Sequence, residues 1–60
     1  MEIIEDLKEV MKERGFSADT MSKHIGCSAR QVARWVSGES KPTYVYQGLI
    51  RKGIKRAKNL

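Results

Sequence analysis

Sixty residues, 40% of them hydrophobic and 32% charged, suit one small globular helical unit rather than a disordered chain. The size is close to the lower limit for folding without staples. The single cysteine, Cys27, excludes an internal disulfide framework and a zinc quartet. The formal charge of +5 is unevenly spread: Glu2, Glu5, Asp6, Glu9, Glu13 and Asp19 precede Thr20, and Glu39 is then the only acid among nine bases. A basic end of this kind points to a polyanionic partner, with a merely solvated basic surface as the alternative.

Ile3, Ile4, Leu7, Val10 and Met11 recur at three- and four-residue spacings, which predicts a first helix over about residues 2–14 with one buried stripe. Glu2, Glu5 and Asp6 fall in its first turns, where the helix dipole favours negative charge. Gly15 supplies a left-handed stop, and Phe16 is placed to fold back onto the last turn. Ser17 is an N-cap for a second helix reaching Ile25, with Thr20 three residues on in place of the Glu or Gln of a full capping box. Gly26 breaks that helix, because glycine takes a positive φ without steric cost. Ser28 caps a third helix, Ala29 to Ser37, which Gly38 ends.

A loop containing Ser40, Lys41 and Pro42 follows, and Thr43 is expected to cap a fourth helix. There Tyr46, Leu49, Ile50, Gly53 and Ala57 share a face, with Val45 and Ile54 at its margins. Gly48 and Gly53 each weaken this helix by up to about 1 kcal/mol relative to alanine; close packing and fraying are both open as reasons. No stretch is long or apolar enough for a membrane span, and the acidic start does not resemble a signal peptide. The expectation is therefore one domain over 1–60, acting in the cytoplasm. Its fold class is all-α, a compact four-helix domain with a five-helix variant as the alternative.

The informative stretch runs from Ala18 to Trp35. A helix-turn-helix needs two short helices locked at a steep angle, so its inward positions are tightly constrained. Met21, Ile25, Cys27, Val32 and Trp35 are the apolar positions, Ser22 is small where the helices would approach, and Gly26 makes the turn. The segment SADTMSKHIGCSARQVARWVSGESKP, with its Ser37-Gly38 and Lys41-Pro42 exit, resembles the helix-turn-helix family of phage repressors and their Cro-like relatives, including lambda-repressor-like domains. Members of that family often pair an arginine on the first helix with a glutamate after the recognition helix. The matching positions here are Met11 and Val36, so the resemblance implies an apolar contact in place of the ion pair, a replacement that well-packed groups tolerate.

With Val32, Trp35 and Val36 inward, the third helix leaves Ala29, Arg30, Ala33, Arg34 and Ser37 on or near its exposed side, flanked by Gln31. Arg30 and Arg34 lie one turn apart on one face. No acid lies between Asp19 and Glu39, so nothing within the helix neutralises them. An arginine presents two donors to guanine O6 and N7, and an alanine touches a thymine methyl. A solvated arginine face is the ordinary reading; inside this motif Ala29, Arg30, Ala33 and Arg34 are read as the base-reading set. In the family it resembles, the start of the second helix and the loop after the third lie against phosphates. That assigns positioning roles to Ser17, Ala18, Thr20 and Ser28, to Gln31 and Ser37, and to Lys41, Thr43 and Tyr44.

Other residues have plainer readings. His24 has no ligand at metal spacing and reads as a partly exposed helix residue. Cys27, Trp35 and Phe16 read as core rather than as reactive or base-stacking groups. The basic tail Arg51, Lys52, Lys55, Arg56 and Lys58 is open between a solvated face, phosphate contact and, more remotely, a membrane surface or RNA. No catalytic constellation sits at useful spacing, so no enzyme, no metal, no cofactor and no small-molecule ligand are expected. The expected function is a sequence-specific regulator that binds double-stranded DNA, repressor-like. It is expected to work as a homodimer at least on DNA, with the fourth helix and C-terminal end as the candidate dimer surface. The alternatives are a protein-interaction module or an antitoxin on the same scaffold and, more weakly, an RNA binder.

Overall fold

The computed structural model describes residues 3–59, and the expectation placed on Glu2 lies outside them. Four helices follow in order: α1 (Ile3–Arg14), α2 (Ala18–Ile25), α3 (Ala29–Ser37) and α4 (Tyr44–Lys58). Each boundary has a local cause. Glu5 and Asp6 occupy the first turn of α1, and Lys12 and Arg14 the last, which suits both ends of the helix dipole. Ser17 and Ser28 are extended N-caps whose hydroxyls accept from the N–H groups of Thr20 and Gln31 at 3.3 and 3.2 Å.

The first three helices end alike. Gly15, Gly26 and Gly38 take φ angles of 68°, 93° and 83°, a conformation costly for any residue with a Cβ. The reversed chain then sends an N–H back five residues: Phe16 to Met11, Cys27 to Ser22 and Glu39 to Arg34, at 2.9, 3.1 and 2.9 Å. This is the left-handed helix stop expected when glycine follows the last turn.

α4 starts differently from the sequence expectation. Thr43 stands at the N-cap position but makes no side-chain cap bond. The Gln47 side chain instead donates to the carbonyl of Pro42 at 3.2 Å, so the loop is tied down from inside the helix.

One core joins all four helices. Leu7 and Val10 come from α1, Met21 and Ile25 from α2, Val32 and Trp35 from α3, and Ile50 and Ala57 from α4. Leu7, Met21, Val32 and Ile50 are fully buried, each stabilising by about 1.5–3 kcal/mol relative to exposure. Met11 and Val36, the positions where the resemblance implied an apolar contact, are both half-buried against this core. Ser22 is buried too, its hydroxyl donating to the Asp19 carbonyl at 2.7 Å. Among the described residues no buried side-chain polar atom is unpartnered.

α4 braces the motif from behind, packing on α1 and α2. At the closest approach, a Cβ built on Gly53 would lie 2.5 Å from Ile25 Cγ1 and 3.0 Å from Ile25 Cα. That settles the role of this glycine as close packing. Gly48 has nothing within 4 Å of the same construction. Ile54 packs at the core margin as expected, whereas Val45 is 71% exposed. In the first turn of α4 it is the neighbouring Tyr46 that packs against the core. Two long-range bonds close the far end: Arg14 donates to the Lys58 carbonyl at 2.7 Å, and Arg56 to the His24 carbonyl at 3.2 Å. No helix of the described residues is long and apolar enough to cross a membrane.

Candidate nucleic-acid interface

The outer face of α3 is set by its inner one. Val32 and Trp35 are buried three residues apart, and the Trp35 ring meets Tyr46 of α4 at 5.3 Å and 60°. With those two anchored, the helical repeat turns Arg30 and Ala33 fully outward and leaves Arg34 half-exposed. Ala29 is half-buried, as is Gln31, and Ser37 is exposed.

Ser28, Arg30, Gln31 and Arg34 line one open depression of about 360 Å³. The four residues that sequence reasoning assigned to two roles therefore share a concavity. Its position at the start of α3 adds backbone N–H groups of the first turn that lack intrahelical partners. Ser28 itself is engaged, since its hydroxyl accepts from the Gln31 N–H.

The other expected positioning residues form two further clusters. At the start of α2, Ser17 is exposed and Ala18 and Thr20 are half-buried. The Ser17 hydroxyl donates to that of Thr20 at 3.3 Å, while accepting from its N–H. The Asp19 carboxylate in the same turn lies 3.7 Å from the Lys23 ammonium one turn on. After α3, Lys41, Thr43 and Tyr44 are exposed, Tyr44 by 87%. Ser37 is tied locally, donating to the Arg34 carbonyl at 3.1 Å.

Two residues were missed. The sequence showed no acid inside α3, but Glu39 returns to it: its carboxylate lies 4.0 Å from Nε of Arg34. The signal was available, because a glycine-terminated helix brings the residue after the glycine back against the last turn. Arg34 is therefore not without a neutralising partner, and Arg30 is, among the described residues. Gln47, which fixes Pro42, was also missed; nothing in its spacing marked it.

The plainer readings fit. His24 is half-exposed, its ring stacked on Phe16 at 5.2 Å and 19°. Cys27 is half-buried against the core, and burial pushes its thiol pKa up. The cations of α4 have no acid on their own helix. Among the described residues, no group of three His, Cys, Asp or Glu side chains is arranged to hold a metal ion.

A family model described as the Cro/C1-type HTH DNA-binding domain matches residues 6–52. The matched span covers most of α1, all of α2 and α3, and α4 to its middle. No curated protein and no solved structure matches the chain. The family match agrees with the four helices, the left-handed turn at Gly26 and the capped helix that follows it. The chain belongs to the Cro/C1-type helix-turn-helix DNA-binding family.

Proposed function

We propose that this chain is a sequence-specific, repressor-like regulator that binds double-stranded DNA with α3 in the major groove. The observation that carries the reading is the pair Arg30 and Arg34, turned outward because Val32 and Trp35 are buried. The two guanidinium groups read guanine O6 and N7, and Ala29 and Ala33 contact thymine methyl groups. Ser17, Ala18 and Thr20 at the start of α2, Ser28 capping α3, Gln31 and Ser37 on it, and Lys41, Thr43 and Tyr44 after it set the register against phosphates. Regulation then follows from occupying an operator, with no cofactor needed.

Two strong base readers give thin discrimination, about 1–3 kcal/mol each. A homodimer placing two copies on half-sites one helical turn apart doubles it, so the bound state is a dimer on DNA. The setting is the compartment that holds the DNA, the cytoplasm.

Duplex binding as a function of salt is the test. The logarithm of affinity should fall linearly with the logarithm of salt concentration, with clear preference over random sequence. Arg30→Ala and Arg34→Ala should each lose about 5- to 150-fold of that preference. Lys41→Ala should weaken all duplexes alike and lower the salt slope by about one. Unchanged preference in both arginine variants would show that the reading face is misassigned. No duplex binding at low salt would leave the protein-interaction module or antitoxin.

A further inference from the structure

The two arginines of α3 are presented differently, and the difference lies in Glu39. Its position is fixed by the end of the helix rather than by its own side chain. Gly38 takes the left-handed conformation, and the Glu39 N–H then donates to the Arg34 carbonyl at 2.9 Å and to the Ser37 hydroxyl at 3.4 Å. The carboxylate is thereby carried back to the side chain of the same residue, 4.0 Å from its Nε.

The nitrogen approached is the inner one. A guanidinium offers five N–H donors in a fixed planar fork. A carboxylate on the Nε side leaves the two terminal nitrogens to offer the outer end of the fork. That is the end-on presentation that guanine O6 and N7 accept as a bidentate pair. The carboxylate also repels phosphate oxygens, the strongest competitors for a nearby guanidinium. Arg30 has no such partner among the described residues.

We propose that Glu39 is a specificity-determining positioning residue: it holds Arg34 end-on for a guanine edge and keeps it off the phosphate backbone. The inference rests on the reading of α3 as the recognition helix, and it divides the labour between the two arginines. Arg34 reads with high selectivity and contributes less to general affinity. Arg30 contributes to both.

The exposed ion pair is worth little to folding, because side chains 43% and 67% exposed are screened by water. Loss of the carboxylate is therefore read in binding, not in stability. The measurement uses the full chain on its preferred duplex, obtained by selection from a random pool, and on a scrambled duplex of equal composition.

Glu39→Gln should bind the scrambled duplex more tightly and show a preferred-to-scrambled ratio lower by about 1.4- to fivefold, the range to which the coupling of an exposed pair converts. Glu39→Asp keeps the charge but withdraws it by one methylene. It should lose the ratio while binding scrambled duplex like the wild type, an effect that bulk charge alone does not produce. In an Arg34→Ala background neither change should move the ratio further.

An unchanged ratio in Glu39→Gln, or an equal fall in that ratio with Arg34 already removed, overturns the positioning role while leaving the recognition helix intact. If Arg34→Ala itself leaves the preference unchanged, or the wild type shows none, the recognition-helix reading fails and the role of Glu39 with it.

Discussion

The two helical glycines of α4 should respond oppositely to the same substitution. Both lie inside a helix, where Gly→Ala stabilises by up to about 1 kcal/mol through propensity alone. At Gly48 the new methyl meets nothing within 4 Å, so that gain should appear in full. At Gly53 the methyl would sit 2.5 Å from Ile25 Cγ1, 3.0 Å from its Cα and 3.2 Å from its N. Two of those three atoms are backbone, and the third belongs to a β-branched side chain with few rotamers. Relief therefore requires α2 and α4 to move apart, and overpacking of this kind costs about 1–3 kcal/mol.

The net expectation is a gain of about 0.5–1 kcal/mol for Gly48→Ala and a loss of about 1–2 kcal/mol for Gly53→Ala. Each kcal/mol shifts the midpoint of a domain this size by about 4–8 °C, so thermal unfolding followed by circular dichroism should separate the variants clearly. Ile25→Ala removes Cγ1, so the penalty at Gly53 should shrink in that background, measured as a double-mutant cycle. Equal stabilisation by both alanines would refute the close approach of α2 and α4.

Other expectations follow from the caps and the thiol. Ser17→Ala and Ser28→Ala each remove a hydroxyl that accepts from a first-turn N–H and should cost about 1 kcal/mol in urea unfolding. Thr43→Ala removes no such bond and should stay within about 0.5 kcal/mol. The Cys27 thiol has a raised pKa because burial disfavours the thiolate. The folded state thus holds its proton more tightly than the unfolded one. Its contribution to stability is present below the unfolded thiol pKa and lost as pH rises through the folded value. Alkylation of Cys27 near pH 8 should accordingly be slower in the native protein than in urea, and Cys27→Ala should abolish the alkaline loss that this thiol causes.

Helix boundaries were legible because their causes are local. A serine cap, its N–H partner three residues on and a terminating glycine all fall within a few positions of one another, so spacing alone identifies them. The inward stripe was legible for the same reason, since burial of Val32 and Trp35 follows from the repeat of one helix. Gly53 was not. Its need for a missing Cβ depends on how closely α2 and α4 cross, which no single-helix pattern contains. Thr43 shows the converse: residue type and position both suited a cap, yet its hydroxyl makes no cap bond, and the loop is held by Gln47 donating to the Pro42 carbonyl.

The outer face of α3 shows where local reading stops being enough. Outward direction is a property of α3 alone, so Arg30 and Arg34 could be selected from spacing. Their difference is a property of the helix end. Gly38 is required to stop α3, and the same left-handed turn that stops it fixes where the next side chain points. A glutamate at position 39 is thereby brought beside Arg34, whereas the same glutamate two residues later in an open loop would have no such address. On the proposed role of Arg34, termination and recognition would be coupled through one backbone conformation. Gly38→Ala, strained at φ 83°, should therefore impair folding at the end of α3 and also erase the distinction between the two arginines in duplex binding.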